Sequence, residues 1–192
     1  MPSKSATLFA SIAALAFAMG TPSAVQAAGG TGADARFERL ARRYVEEYGR
    51  HNPVAATQLG DHRSDGELDD MSAAGRARRL AWNRGLLAEL GRVDRAALGR
   101  ANQVDAAILE NQLRYAAWSE QTFRDWSWDP LVYTQLTGQA LYGLLAREFA
   151  PLPVRLQSVT RRLERLPRLL AQTRANLDPA RVPAIHAETA VK

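Results

Sequence analysis

Between Ala150 and Lys192, apolar residues recur at steps of three and four: Leu156, Val159, Leu163, Leu166 and Leu170. That spacing places them on one face of a long helix, with Arg155, Arg161, Arg162, Arg165 and Arg168 mostly on the other. A stripe of this length has to be buried against something, so the earlier apolar segments are expected as its partners. Phe37, Leu40, Ala41, Tyr44, Val45 and Tyr48 predict a first helix that Asp34 caps and that ends near Arg50. Pro53 to Leu59 reads as a short second helix, with Pro at its first position and Gly60 as its stop. Ser72 caps a third, Ala73 to Leu90, with Leu80, Leu86, Leu87 and Leu90 inward. Asn102 is expected to cap a fourth, from Gln103 to Phe123, with Val104, Ala107, Ile108, Leu113 and Trp118 in the core. Pro130 opens a fifth, with Tyr133, Leu136, Ala140, Leu141, Leu144 and Leu145 buried. Pro151 and Pro153 separate it from the long helix, which ends near Leu177, and a last helix starts near Ala184 without a stop signal before Lys192. No segment alternates with period two, so no significant sheet is expected. The fold class is all-α, a multi-helix array or bundle, read as the N-terminal portion of a larger helical domain.

The first residues follow a different pattern. Lys4 precedes an apolar run from Leu8 to Met19. Gly20, Pro22 and Ser23 break that run, and Val25 and Ala27 supply the small residues of a cleavage site. Residues 1–27 therefore read as a signal peptide, 28–33 as a flexible spacer and 34–192 as the helical domain. The run is too short to span a bilayer comfortably, which favours an exported protein, periplasmic or secreted, with no transmembrane segment after cleavage. The chain has no Cys, which excludes disulfides, thiolate chemistry and lipid attachment through Cys. Its formal charge of +5 comes almost wholly from Arg. Acidic residues are interspersed and no basic tail exists, so nucleic acid is not an expected partner.

Candidate chemistry is sparse. The three His residues, His51, His62 and His186, have no second His at the spacing of a helical metal site. No catalytic residue and no metal ligand are assigned in this chain. The loop Gly60-Asp61-His62-Arg63, followed by Asp65, Glu67, Asp69 and Asp70, is the best candidate for substrate binding, through Asp61, His62 and Arg63. The competing reading is a solvated connector whose Asp and Gly make turns. Trp118, Trp126, Trp128 and Tyr133 form an aromatic group suited either to stacking on a ligand or to filling a junction between helices. The Arg face of the long helix could touch phosphate or lipid headgroups, or could be solvated.

Several blocks occur in a fixed order. They are Asn52-Pro53-x-x-Ala56-Thr57-x-Leu59-Gly60-Asp61-His62, Asp65-Gly66-x-Leu68-x-Asp70-x-Ser72 and Trp126-x-Trp128-x-Pro130-x-x-Tyr133. Ala150-Pro151-Leu152-x-x-Arg155-Leu156, Arg162-Leu163-x-x-Leu166-Pro167 and Ala175-Asn176-Leu177 follow. Together they resemble the N-terminal part of the bacterial family called domain of unknown function 885. Its members are several times longer, mostly helical, often exported, and grouped with zinc metallopeptidases. The resemblance implies a zinc-dependent peptidase-like hydrolase acting on peptides, with the helices of this chain as one wall of the cleft. The family's His-Glu and Pro-Gly-His motif is absent here, so zinc is implied only for full-length relatives and this chain alone is expected to be inactive. The alternative is a complete, non-catalytic periplasmic helical module that binds a partner.

Overall fold

In a computed structural model of the chain, residues 32–192 are described, and they fold as an all-α array. In chain order the helices are α1 (Gly32–His51), α2 (Pro53–Gln58), α3 (Ala73–Leu90), α4 (Arg100–Trp118), α5 (Leu131–Ala146), α6 (Leu152–Asn176) and α7 (Ala184–Val191). The described residues contain no strand. The expected signal peptide lies outside them. α1 packs against α3 and α4, α2 against α1 and α5, and α5 against α6.

Local signals fix most of the boundaries. The Ser72 hydroxyl accepts from Gly75 N–H and starts α3. A Cβ at Gly75 would collide with the Asp70 carbonyl, so Gly lets the loop turn directly onto the helix. Pro53 opens α2, and Gly60 leaves it with φ of +90°. The described part of α1 already includes Gly32 and Ala33, ahead of the expected cap. Asp34 is not its cap: the buried carboxylate accepts from Gly99 N–H at 2.9 Å and Asn102 Nδ2 at 2.8 Å, tying α1 to the start of α4. Gly99, not Asn102, precedes α4.

Two apolar clusters form. The first joins Phe37 and Leu40 of α1, Leu86 and Leu90 of α3, Val93, Leu98, and Ala106, Leu109 and Leu113 of α4. The second joins Val54, Leu68, Met71, Tyr133 and Ala140 of α5, and Leu169 of α6. The inward face of α4 is therefore Ala106-Leu109-Leu113. Val104, Ala107 and Ile108, expected in the core, point to solvent. Trp118 and Leu145 are exposed as well.

The larger correction concerns α6. Its buried residues are Arg155, Val159, Arg162 and Leu169, and Arg162 is 0% exposed. Leu156, Leu163 and Leu170 are 43%, 47% and 52% exposed and form a row on the outer side. The inward face is turned by roughly 60° from the expected orientation, with Val159 and Leu166 still on it. The cause is hydrogen bonding. Arg162 Nε donates to the Glu67 carbonyl (3.0 Å), Nη1 to the Ala140 carbonyl (2.7 Å) and Nη2 to Thr57 Oγ1 (2.7 Å). Arg155 donates to the carbonyls of Ala150, Leu144 and Leu145 and so satisfies the open end of α5. Backbone carbonyls thus supply the partners that make two guanidinium groups acceptable inside the fold.

Candidate functional site

A cavity of about 470 Å³ lies between the two apolar clusters. α1 contributes Tyr44 and Tyr48, α3 contributes Arg79, Trp82 and Asn83, and α4 contributes Gln112, Tyr115 and Ala116. Leu136, Gln135 and Gln139 of α5 close the opposite side, with Asn52, Asp69 and Met71 from the connections. Glu120, Asp125 and Trp126 complete the lining. These last three owe their position to an irregular end of α4. The chain widens into a π turn over Ser119–Phe123, Arg124 takes a left-handed φ of 52°, and a short 3₁₀ turn follows at Asp125–Ser127. A non-Gly residue in that region is costly and is held only where its surroundings determine it. π turns of this kind occur frequently at functional sites.

The lining combines rings with carboxylates. Tyr44 stacks on Trp82 with centroids 5.5 Å apart, and His51 stacks on the same indole at 4.4 Å. Trp82 Nε1 donates to Glu47 at 2.7 Å, which fixes the ring. Trp126 lies under the Arg76 guanidinium, 3.7 Å from the ring centroid. Arg76 pairs with Glu120 at 3.0 Å and donates to the Met71 carbonyl and Asn176 Oδ1. Arg79 approaches the other oxygen of Glu120 at 3.8 Å. Asp69 Oδ2 accepts from Val54 N–H at 3.1 Å, at the N-terminal end of α2.

Burial raises the affinity of three carboxyls for protons. Asp69 is pushed up by desolvation, against the opposing Val54 N–H and the charges of Arg79 and Arg162. Glu120 is pushed up by desolvation, which outweighs Arg79 and Arg76. Asp125 is pushed up by desolvation, opposed by the Trp126 N–H and reinforced by nearby Asp129. Tyr44 and Tyr48 are raised too, chiefly by desolvation. A concave site with aromatic walls, side-chain amides and perturbed carboxyls has the makings of a small-ligand site.

Asp61, His62 and Arg63 lie elsewhere. Arg63 donates from Nε and Nη2 to Asp61 (2.8 and 2.7 Å) and from Nη2 to the Glu46 carbonyl (3.2 Å). Those hydrogen bonds hold the Asp61 carboxyl down at about 2. His62 stacks on Phe149, centroids 3.5 Å apart, and its Nδ1–H donates to Asp65 at 2.9 Å. Asp65 in turn accepts from Thr57 Oγ1 at 2.6 Å, and Thr57 accepts from Arg162. His62 is thus the outer end of a hydrogen-bonded chain that begins at the buried guanidinium. Asp61 and Arg63 line a separate depression of about 240 Å³ with Glu46, Gly49, Arg50 and Ser64.

The sequence grouped Trp126 with Tyr133 and named Asp69 apart from them, in the Gly60–Asp70 loop. Tyr133 is buried, and its hydroxyl donates to the Trp126 carbonyl at 2.6 Å and so holds that ring. Glu120, Arg79 and Trp82 had no local signal at all. No group of three His, Asp or Glu side chains converges as a metal site among the described residues. His186 instead meets Asp129 at 2.8 Å, and His51 packs on Trp82.

With this geometry in view, comparison with known proteins defines the class. Residues 53–192 match the model of a family described as bacterial protein of unknown function, DUF885. The chain belongs to that family. It is also similar to a solved structure described as "a putative lipoprotein of unknown function" from Shewanella oneidensis, at 30% identity and a TM-score of 0.75. The match covers 81% of this chain and 28% of that one, so this chain spans well under a third of the relative's length. No curated protein matches it.

Proposed function

We propose that this chain is the N-terminal, substrate-contacting part of an exported peptidase-like hydrolase, and that it binds peptide in the cavity between the two apolar clusters. The observation that carries this reading is the lining: Asp69, Glu120 and Asp125 beside Arg79, between Tyr48, Trp82 and Trp126, with Gln112, Gln135 and Gln139 at hand. A short peptide offers an ammonium for the carboxyls, a carboxylate for the guanidinium, and amide groups for the glutamines. Its side chains suit the rings. The volume lies within the range of small-ligand sites, about 300–1,000 Å³. Export is supported by the leader pattern of residues 1–27.

The resemblance to zinc metallopeptidases supports the reaction class and not a role for any residue here. The described residues do not fit a zinc site, so no step is assigned through the metal in this chain. The exposed row of Leu156, Leu163 and Leu170 favours part of a larger helical protein over a complete binding module, because an apolar row of that length is ordinarily covered. Trp82 and Trp126 provide the test. Titration with tri-alanine carrying free ends should change tryptophan fluorescence saturably, and Asp69→Asn should weaken the apparent affinity about tenfold, as loss of one charge-assisted hydrogen bond does. Unchanged fluorescence up to millimolar peptide would count against the proposal.

A further inference from the structure

Five arginines gather at one place. Along α1, Arg36, Arg39 and Arg43 fall at steps of three and four, on the side adjoining buried Phe37 and Leu40. Facing them, α3 ends at Leu90, and Arg92 follows it. A groove of about 660 Å³ lies between, lined by these four arginines, Arg42 and two carboxylates, with apolar Leu40 and Val93 in its floor.

The density of guanidinium groups sets this groove apart. Several arginines elsewhere are paired with carboxylates: Arg95 and Arg114 with Glu110, Arg165 with Glu67, Arg78 with Asp70, Arg76 with Glu120. In the groove, five guanidinium groups meet Glu46 and Glu89 only. Arg43 alone has an ion pair among the described residues, with Glu89 at 2.7 Å. Arg36, Arg39, Arg42 and Arg92 are exposed and have none. Like charges so close raise one another's energy, and an anion that they share relieves it. A planar guanidinium presents paired N–H donors that match phosphate oxygens, and the apolar floor strengthens the attraction by excluding water locally.

We infer that this groove binds a phosphate-bearing anion, either the headgroup of an anionic phospholipid or a free phosphate ester. The inference is independent of the peptide cavity, which none of these arginines lines. The test uses the whole chain, with inorganic phosphate in calorimetry at low ionic strength and vesicles of phosphatidylglycerol or phosphatidylcholine in sedimentation. Saturable binding of phosphate supports a soluble ester. Binding only to phosphatidylglycerol vesicles, reversed by salt, supports the headgroup. In either case Arg39→Ala/Arg92→Ala should weaken binding about tenfold or more, and Arg39→Lys/Arg92→Lys, which keeps charge but loses the fork, should restore only part of it. Arg78→Ala/Arg114→Ala removes the same charge elsewhere and should leave binding unchanged. No binding to either probe overturns the inference. So does an equal loss in the Arg78/Arg114 variant, because the effect would then be net charge alone. All four side chains are exposed, so a thermal melt should show each variant folded.

Discussion

The two apolar clusters are built on different principles. Around Phe37, Leu90 and Leu113 the helices close on one another mainly through apolar side chains. Around Val54, Tyr133 and Leu169 they close over a buried guanidinium, and Arg162 joins α2, the Glu67 carbonyl, α5 and α6 through hydrogen bonds to neutral oxygens. The first kind of core tolerates exchange of one apolar shape for another. The second fixes which carbonyls meet, because each donor lost leaves a buried acceptor without a partner. The polar cavity sits where the two meet, so one wall belongs to each.

The contrast should be largest at Arg162. Arg162→Ala is expected to cost about 3–5 kcal/mol in denaturant unfolding, from the lost hydrogen bonds and the void together. Arg162→Met keeps much of the volume and should still cost roughly 2–3 kcal/mol, because the Ala140 and Glu67 carbonyls stay buried. Its effect should be strongly non-additive with Thr57→Val, with a coupling on the order of 1 kcal/mol. An Arg162→Met variant as stable as the wild type would remove the distinction between the cores.

Leu90→Ala in the first cluster should cost about 3 kcal/mol through transfer and cavity terms, and should add to Arg162→Met within about 0.5 kcal/mol. Non-additivity there would mean that the two cores act as one. At the other extreme, Leu163→Ser should shift stability by no more than about 0.5 kcal/mol, because that side chain is already half in water. A cost of several kcal/mol would return Leu163 to the core.

The orientation of α6 shows where sequence pattern reaches its limit. Its leucines occupy two neighbouring faces, Leu166 and Leu169 on one and Leu156, Leu163 and Leu170 on the other, and periodicity alone prefers the longer row. The deciding terms were the carbonyls of Glu67, Ala140 and Leu144, which no side-chain pattern records. In α4 a similar ambiguity between Ala107-Ile108 and Ala106-Leu109 was settled by contact with Phe37 and Leu90. Helix existence, the Ser72 cap, the Pro53 start and the Gly60 stop were legible because they depend on neighbours in sequence. The cavity was not, since Tyr48, Asp69, Trp82 and Glu120 meet only through packing. The Gly60–Asp70 loop drew attention through its density of charge. Much of that charge closes on itself, as in Asp61 with Arg63 and His62 with Asp65.

The cavity carboxyls give a pH dependence of definite sign. Asp69, Glu120 and Asp125 bind protons more tightly folded than unfolded. Between the ordinary carboxylate range and their raised folded values the native state therefore holds more protons, and they lower stability as pH rises through that window. Asp69→Asn keeps an oxygen for Val54 N–H and removes the penalty of a desolvated charge. It should raise the melting temperature slightly at pH 7, with the gain vanishing below about pH 4, near the model-peptide value for Asp. Equal melting of variant and wild type at both pH values would show that Asp69 carries no such penalty. A variant more stable yet poorer at binding peptide would mark these carboxyls as retained for the ligand and not for the fold.

Hydrogen–deuterium exchange with and without tri-alanine tests the central claim most directly, because it reports position as well as binding. Slowed exchange in residues 44–52, 79–83 and 115–126, with Asp61–Ser64 unchanged, is the predicted footprint of a ligand between the two cores. Protection confined to Asp61–Ser64 would contradict it and place the binding site on the surface loop.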